Sequence, residues 1–560
     1  VKQRKTLFFC KIAVFVFLSP VKGEDFFTYT SSGGITYTIC EQGISQINLG
    51  EKTLAKGKWL FEPVDWMFIK GGRRDSSWQL LSAKLQKQAE NSVLVSQVYS
   101  GAKVYFRYTF KGEDLYIESR VENEGEKPIG FSRFGHLTFD FQANPEGIMP
   151  VWHISYLQVT GYGCFHPSHL NRIAGSYSAG KDFGVGLSPS GRQFIRTLFL
   201  WDLPDWGKQE IKNPRHLCYL VAEPIPAEGA RTFQMVMRVS TRKDWQHLLQ
   251  PYQEYFQRLF GQVKYVADYR LLAVSHVNRN VESISPENPY GFHPGFRRLD
   301  LVSGTNAFCD LLVPALKKAN GQGVLIWGQT GTDPRGAMYR PDFDVLPPEV
   351  ETNWATIDRN FREAGLRHGV CTRPGEIAVR INWKKDGTVR INPDDSWHLN
   401  LLWQRFQKMI NLGCTVFYLD SFGNSWEDVK IMQFLREKMG PEIQTFAEHQ
   451  CDVLMVYSGA YTETDFYEKG KASWVKETNY YPRAGLRNWE IYQWLVPGVQ
   501  MVSRLYDIHG TIPKDVLPVE RFFYDHRITP LVADYRLPER ADFLRVLQEE
   551  YLEGTNRWKK

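Results

Sequence analysis

The sequence predicts an antiparallel β-supersandwich followed by a (β/α)8 barrel of the TIM type. Three observations carry this. Short alternating segments between turn residues fill roughly positions 26 to 240; the chain changes character near residue 262, after which apolar strands alternate with helical periods; and carboxylates recur at the ends of those strands. At 560 residues with 43% hydrophobic content, the chain is long enough for two or more cores. The division expected is a signal peptide over 1–23, a β-sandwich domain over 24–245, a helical linker over 246–264 and a barrel over 265–560.

The N-terminus opens on the basic "VKQRK", continues through the mostly apolar "TLFFCKIAVFVFLSP", and reaches the small residue of "VKG" before the acidic "EDFF". That order reads as a secretory signal, interrupted by Lys11 and shorter than the ~20 residues that span a bilayer. A periplasmic or secreted protein is expected, with no stable membrane insertion after cleavage. Without Cys10, the remaining Cys40, Cys164, Cys218, Cys309, Cys371, Cys414 and Cys451 are odd in number and lack CxxC spacing. This pattern indicates neither a zinc site nor a dense disulfide scaffold. Cys371 and Cys414 fall in predicted strands and read as small buried hydrophobes. The net charge of +6 is spread among nearly as many acids, so the footprint of a nucleic-acid binder is missing.

In the first half, "GITYTICEQG", "SVLVSQVYS", "KVYFRYTF" and "LYIESRVENEG" alternate apolar and polar residues as half-buried antiparallel strands do. The amphipathic "TRKDWQHLLQPYQEYFQRLFG" then links the halves. The barrel strands are expected at 271–277, 323–328, 368–373, 414–420, 443–448, 472–477, 499–505 and 528–534. Helical periods such as "TNWATIDRNFREAG", "WHLNLLWQRFQKMIN" and "EDVKIMQFLREKMG" lie between them. "HQCDVLMVYSGAY" reads equally as a short helix or an additional strand.

The chemistry of a parallel barrel gathers at the C-terminal ends of its strands. Those ends carry His276 and Asn278, Trp327 and Gln329, Arg373, Asp420, Glu448, Glu477, Asp507 and Asp534 in strand order. So many carboxylates on one rim repel one another unless cations, hydrogen bonds or protonation hold them, which a purely structural role does not require. Asp420 ends the apolar run of "GCTVFYLDSFGN"; the capping of the following helix falls to Ser425 with Asp428 instead. Asp420 and Glu448 are one βα unit apart, on adjacent strands. Paired carboxylates of this kind cleave glycosidic bonds, one attacking the anomeric carbon and the other protonating the leaving oxygen. The apolar "TFAE" before Glu448 suits an acid. Trp327 and Tyr418 offer rings to a sugar face, and His276 and Arg373 hydrogen-bond donors, as substrate-binding candidates with Glu477 and Asp507. Metal-ligand spacing is absent around His276, and "GQTGTDPRG" lacks the Lys-Ser/Thr of a phosphate loop, so no cofactor is expected.

"KVYFRYTFKGEDLYIESRVENEGEKPIG" resembles the paired strands of the galactose-mutarotase-like supersandwich that precedes the barrel of many glycoside hydrolases. Asp on strand four, Glu on strand five and Asp on strand seven resembles the order of the α-amylase clan, and the layout is similar to that of endo-α-N-acetylgalactosaminidases. "GLRHGVCTRPGE" followed by "FYLDSFGN" is similar to strands three and four of α-galactosidases and α-glucosidases. All of these resemblances imply Asp420 as nucleophile. They divide on the acid: the amylase-like pattern implies Glu448, and the α-galactosidase pattern a strand-six residue, for which Glu477 in "WVKETNYYP" is the nearest match. The amylase Arg two positions before the nucleophile is replaced by Tyr418.

The expected activity is hydrolysis of α-linked glycosides of oligo- or polysaccharides or glycoconjugates, such as α-galactosides or α-N-acetylgalactosaminides. An inverting use of the same carboxylates and a non-catalytic carbohydrate binder are the alternatives. If residues 1–23 are cleaved, N-terminal sequencing of the exported protein should read from near Glu24; Val1 on cytoplasmic protein is the opposing result.

Overall fold

The computed structural model describes residues 26–64, 78–141, 146–148, 175–192, 197–201, 216–221, 223–277, 285–286, 301–330, 346, 348–382, 385–423, 425–448, 451–461, 488–505 and 517–557. Within these, the first half forms two antiparallel sheets. One runs in the spatial order Phe27–Thr30, Ile35–Cys40, Gly43–Leu49, Lys52–Val64, Phe131–Phe139, His216–Val221 and Thr197–Trp201. The other runs Glu146–Ile148, Ser176–Ala179, Gly184–Pro189, Ala230–Ser240, Asp114–Asn123, Ala102–Lys111, Ser92–Tyr99 and Leu80–Ala89. Strict alternation decides the buried face: Val104, Phe106, Tyr108 and Phe110 point inward from one strand and Leu115, Ile117 and Val121 from its neighbour. Phe134 of the first sheet meets Phe106 and Phe233 of the second at centroid distances of 6.0 and 5.9 Å, joining the two inner faces.

The helix Trp245–Phe260 follows. Asp244 caps it, its carboxylate accepting from the His247 N–H at 2.9 Å. Its apolar stripe of Leu248, Leu249, Tyr252, Tyr255 and Phe256 is buried. Toward the sheets, Arg238 forks onto Asp114 and donates to the His247 carbonyl at 2.8 Å. A Cβ on Gly186 would lie 1.9 Å from the Leu248 oxygen, so only glycine admits the helix this close to the strand. Toward the barrel, the Tyr252 hydroxyl donates to Asp452, and Gln253 and Gln257 donate to the Trp494 and Leu495 carbonyls, each at 2.6 Å.

Eight parallel strands then close into a barrel: Leu272–His276, Gly323–Trp327, Arg367–Thr372, Val416–Leu419, Gln444–Ala447, Gly459–Tyr461, Met501–Arg504 and Ile528–Ala533. Seven lie where the sequence places them. The sixth is Gly459–Tyr461 within "HQCDVLMVYSGAY"; the stretch 472–477, expected as the sixth strand, lies outside the described residues. The segment is also partly helical, its Leu454–Val456 forming one buried 3-10 turn before the strand. The helices Pro348–Glu363, Ser396–Asn411 and Trp426–Met439 match the helical periods, and Ser425 with Asp428 forms the expected capping box. A hairpin of Glu376–Asn382 and Lys385–Arg390, absent from the sequence reading, extends from the third strand. Cys371 and Cys414 are fully buried. Among the described residues, no helix is long and apolar enough to cross a membrane.

On the outer side of the third strand, His368 is 2% exposed, with Nε2 at 3.1 Å from an Asp358 oxygen and Nδ1 at 3.7 Å from the Cys414 sulfur. Burial lowers the His368 pKa below its ordinary 6.5, against an opposing pull from Asp358. Burial also pushes the Cys414 thiol far above its usual range, so it stays protonated beside Nδ1. Because the unfolded chain then binds the histidine proton more readily, stability should be full above pH 6.5 and fall as pH drops through and below that value. Thermal melts from pH 7.5 to 5 should show this decline, and His368→Gln should flatten it; an unchanged slope in a folded variant is the contrary result.

Candidate active site

The side-chain alternation of the barrel strands determines which rim residues face its mouth. Val274, Leu325, Trp327, Cys371, Val416, Tyr418, Phe446, Tyr461, Val502 and Leu531 form the inner core, while Phe417, Leu419 and Ala447 pack outward. Two residues beyond the inward Cys371, Tyr418 and Phe446 come Arg373, Asp420 and Glu448. Thr372 pairs with Leu419 and Leu419 with Ala447, so continuing the register by one residue sets Arg373, Asp420 and Glu448 side by side on three consecutive strands. The Asp420 N–H donates to the Thr372 carbonyl at 2.7 Å and the Glu448 N–H to the Leu419 carbonyl at 3.0 Å, which extends the ladder to this level.

Asp420 is 6% exposed, and its Oδ2 accepts from Arg373 through Nε at 2.8 Å and through Nη2. Both guanidinium donors fall on one carboxylate oxygen, so Oδ1 is not part of that fork. Arg373 also lies 4.0 Å from Glu376 at the start of the hairpin. Glu448 is half-buried, and its Oε2 accepts the Ser421 N–H at 2.6 Å. Ser421 reaches that position with φ of +51°, a left-handed conformation in a residue other than glycine.

Beneath the row is a floor of rings. Tyr418 lies 5.0 Å from Trp327 and 5.6 Å from Tyr461, and Trp327 stacks on His276 at 5.7 Å. Burial first, then the nearby Glu448 charge, raises the Tyr418 pKa well above its usual range, which keeps the phenol neutral. Trp327 is 7% exposed, so it forms the bottom of the mouth, one level below the carboxylates. Gln329, fully buried at the end of the second strand, donates to the Cys371 carbonyl at 2.9 Å.

The structure thus brings together His276, Trp327, Gln329, Arg373, Tyr418, Asp420 and Glu448. Asp534 is set apart: it follows the outward Val532 by two positions and accepts from the outward Ser275 hydroxyl at 2.5 Å, on the helix side of the wall. Asn278, Glu477 and Asp507 lie outside the described residues. Two inward residues escaped the sequence reading. Tyr461 ends the unrecognised sixth strand. Arg504, two residues beyond the inward Val502, stands with its guanidinium carbon 5.8 Å from the Tyr461 ring centroid. Counting by twos from Val502 would have selected Arg504. Among the described residues, no cluster of three or more His, Cys, Asp or Glu side chains is arranged to hold a metal ion.

This arrangement of antiparallel sheets ahead of a closed parallel barrel is similar in fold to solved structures of known proteins. The chain is similar in structure to the α-N-acetylgalactosaminidase NagBb from Bifidobacterium bifidum, with a TM-score of 0.60 and 11% identity over 93% of this chain and 92% of that one. It is also similar to a GH31 family sulfoquinovosidase from E. rectale, with a TM-score of 0.50 and 9% identity over 90% of this chain and 81% of that one. A GH36 α-galactosidase, AgaB from Geobacillus stearothermophilus, aligns at a TM-score of 0.48 and 8% identity over 94% and 84%. No family profile matches the sequence, and no curated protein does.

The left-handed Ser421 is testable by itself. Ser421→Gly keeps the N–H and relieves the backbone, so it should leave stability unchanged or higher. Ser421→Val should lose about 1–2 kcal/mol in urea unfolding. Equal stability of the two variants would contradict a left-handed backbone there.

Proposed function

We propose that the protein is a retaining α-glycoside hydrolase in which Asp420 is the nucleophile and Glu448 the general acid/base. The observation that carries this reading is the in-register row Arg373, Asp420, Glu448 at the C-terminal ends of three consecutive barrel strands. Neighbouring strands are about 4.8 Å apart, a spacing compatible with the roughly 5–5.5 Å between carboxyl groups that retention uses. The two-sheet half takes the part of the β-supersandwich in this reading.

Arg373 holds Asp420 by Oδ2, leaving Oδ1 to attack the anomeric carbon as the glycosidic C–O bond breaks. The Ser421 N–H holds Glu448 by Oε2, and in this reading Glu448 carries the proton for the leaving oxygen. After the aglycone departs, Glu448 takes a proton from water as the water oxygen bonds to the anomeric carbon and the bond to Asp420 breaks, which frees the sugar and restores both carboxyl groups. Tyr418, Trp327 and Tyr461 supply a neutral aromatic floor beneath the ring. The likeness to an α-N-acetylgalactosaminidase supports an α-galactoside or α-N-acetylgalactosaminide as the first substrates to try.

Asp420→Asn should lower turnover by about three orders of magnitude or more in a folded protein, because an amide does not attack. Glu448→Gln should cripple natural glycosides yet spare the first step on nitrophenyl or fluoride substrates, and azide should rescue turnover. Glu477→Gln serves as the control, since strong leaving-group sensitivity and azide rescue in that variant, with Glu448→Gln like wild type, would transfer the acid role to Glu477.

A further inference from the structure

On the outer face of the eight-stranded sheet there is a cavity of about 480 Å³, and none of its lining residues belongs to the barrel. Its floor comes from the polar side of three adjacent strands, where Arg107 pairs across to Glu118, Glu118 to Gln234, and Thr109 to Tyr116. Its wall comes from the turn Ser190–Gly191–Arg192 and from Arg258 in the last turn of the linker helix. Gly191 has φ of +105°, and a Cβ there would lie 2.5 Å from the Gln234 side-chain oxygen, so glycine lets this turn come down onto the floor.

Three arginines and one glutamate line the space, a net charge of 3 − 1 = +2. Glu118 is already engaged, by Arg107 at 3.4 Å and by Gln234 at 2.7 Å. Arg258 donates to the Gly191 carbonyl at 2.6 Å, which fixes its guanidinium at the wall. Arg192 is exposed and makes no ion pair among the described residues. The hydroxyls of Thr109, Ser190 and Tyr116 add neutral hydrogen-bonding groups, and Tyr116 adds a ring. The volume lies within the range of about 300–1,000 Å³ typical of small-ligand sites. Planar guanidinium groups match carboxylate and sulfate oxygens in pairs, whereas hydroxyls beside an aromatic ring match a sugar.

We infer that this cavity is a second carbohydrate site that holds an acidic sugar residue of a glycan, its carboxylate or sulfate gripped by Arg192 with support from Arg107 and Arg258. The choice of a glycan rests on the proposed function; the anionic group rests on the lining alone.

Ligand-observed NMR titrations of the full chain with sialyllactose, a glucuronate disaccharide, galactose 6-sulfate, lactose and inorganic sulfate would test this. One or more acidic sugars should bind more tightly than lactose and than inorganic sulfate. The double variant Arg107→Gln/Arg192→Gln should weaken that binding about tenfold while leaving aryl glycoside hydrolysis unchanged. Asp420→Asn should leave the binding intact, which separates the cavity from the barrel mouth. Acidic sugars that bind no better than lactose or inorganic sulfate, or that bind equally to the double variant, would overturn the inference. Acidic-sugar binding that meets these criteria in a chain with no hydrolase activity would uphold the cavity and refute the proposed reaction.

Discussion

Closure of the barrel is the constraint on which the site depends. Once eight strands are paired edge to edge, each side chain points either to the axis or to the helices, and the choice repeats every two residues. The ring of Cys371, Tyr418 and Phe446 on three neighbouring strands therefore determines that Arg373, Asp420 and Glu448 form the next ring above it. A register slip of one residue on the fourth strand would turn Asp420 toward the helices and bring Leu419 into the mouth. The site is thus a product of packing below it as much as of the residues within it.

Placing two carboxylates on adjacent strands has an electrostatic cost. At about 5 Å and an effective dielectric constant near 20, two full negative charges would repel by about 3 kcal/mol, a cost that protonation of one of the pair removes. The forked contact of Arg373 with Asp420 offsets this from one side, and the Ser421 N–H on Glu448 offsets it from the other. Below, the Tyr418 phenol remains neutral because of its burial and the Glu448 charge, so no third anion adds to the repulsion. The cation beside Asp420 comes from the neighbouring strand, and position 418 carries an aromatic ring.

Most of the barrel was legible because its strands are continuous apolar runs closed by turn residues, as the run Val416–Leu419 before Asp420 illustrates. The sixth strand was not. Gly459–Tyr461 is only three residues long and follows a buried 3-10 turn, so the two merge into one apolar stretch without a period, and "SWVKET" downstream looks more strand-like than the true strand. The site was legible where chemistry coincided with parity, at Arg373, Asp420 and Glu448. It was misread where a carboxylate drew attention away from parity: Asp534 belongs to the outer side, and Arg504 at the end of the seventh strand was passed over. The hairpin Glu376–Asn382 with Lys385–Arg390 was missed because a barrel pattern anticipates a helix directly after each strand.

The helix Trp245–Phe260 buries its stripe between the sheets and the barrel and is hydrogen-bonded to both. It is a shared core element and not a tether. Cutting the chain just before the first barrel strand would strip Asp452 of the Tyr252 hydroxyl and uncover apolar surface on whichever fragment lost the helix. The barrel is therefore poorly separable as an expression unit, and transplanting it onto another accessory domain would require carrying this helix, together with the Arg238 and Gly186 seat that receives it, as part of the graft.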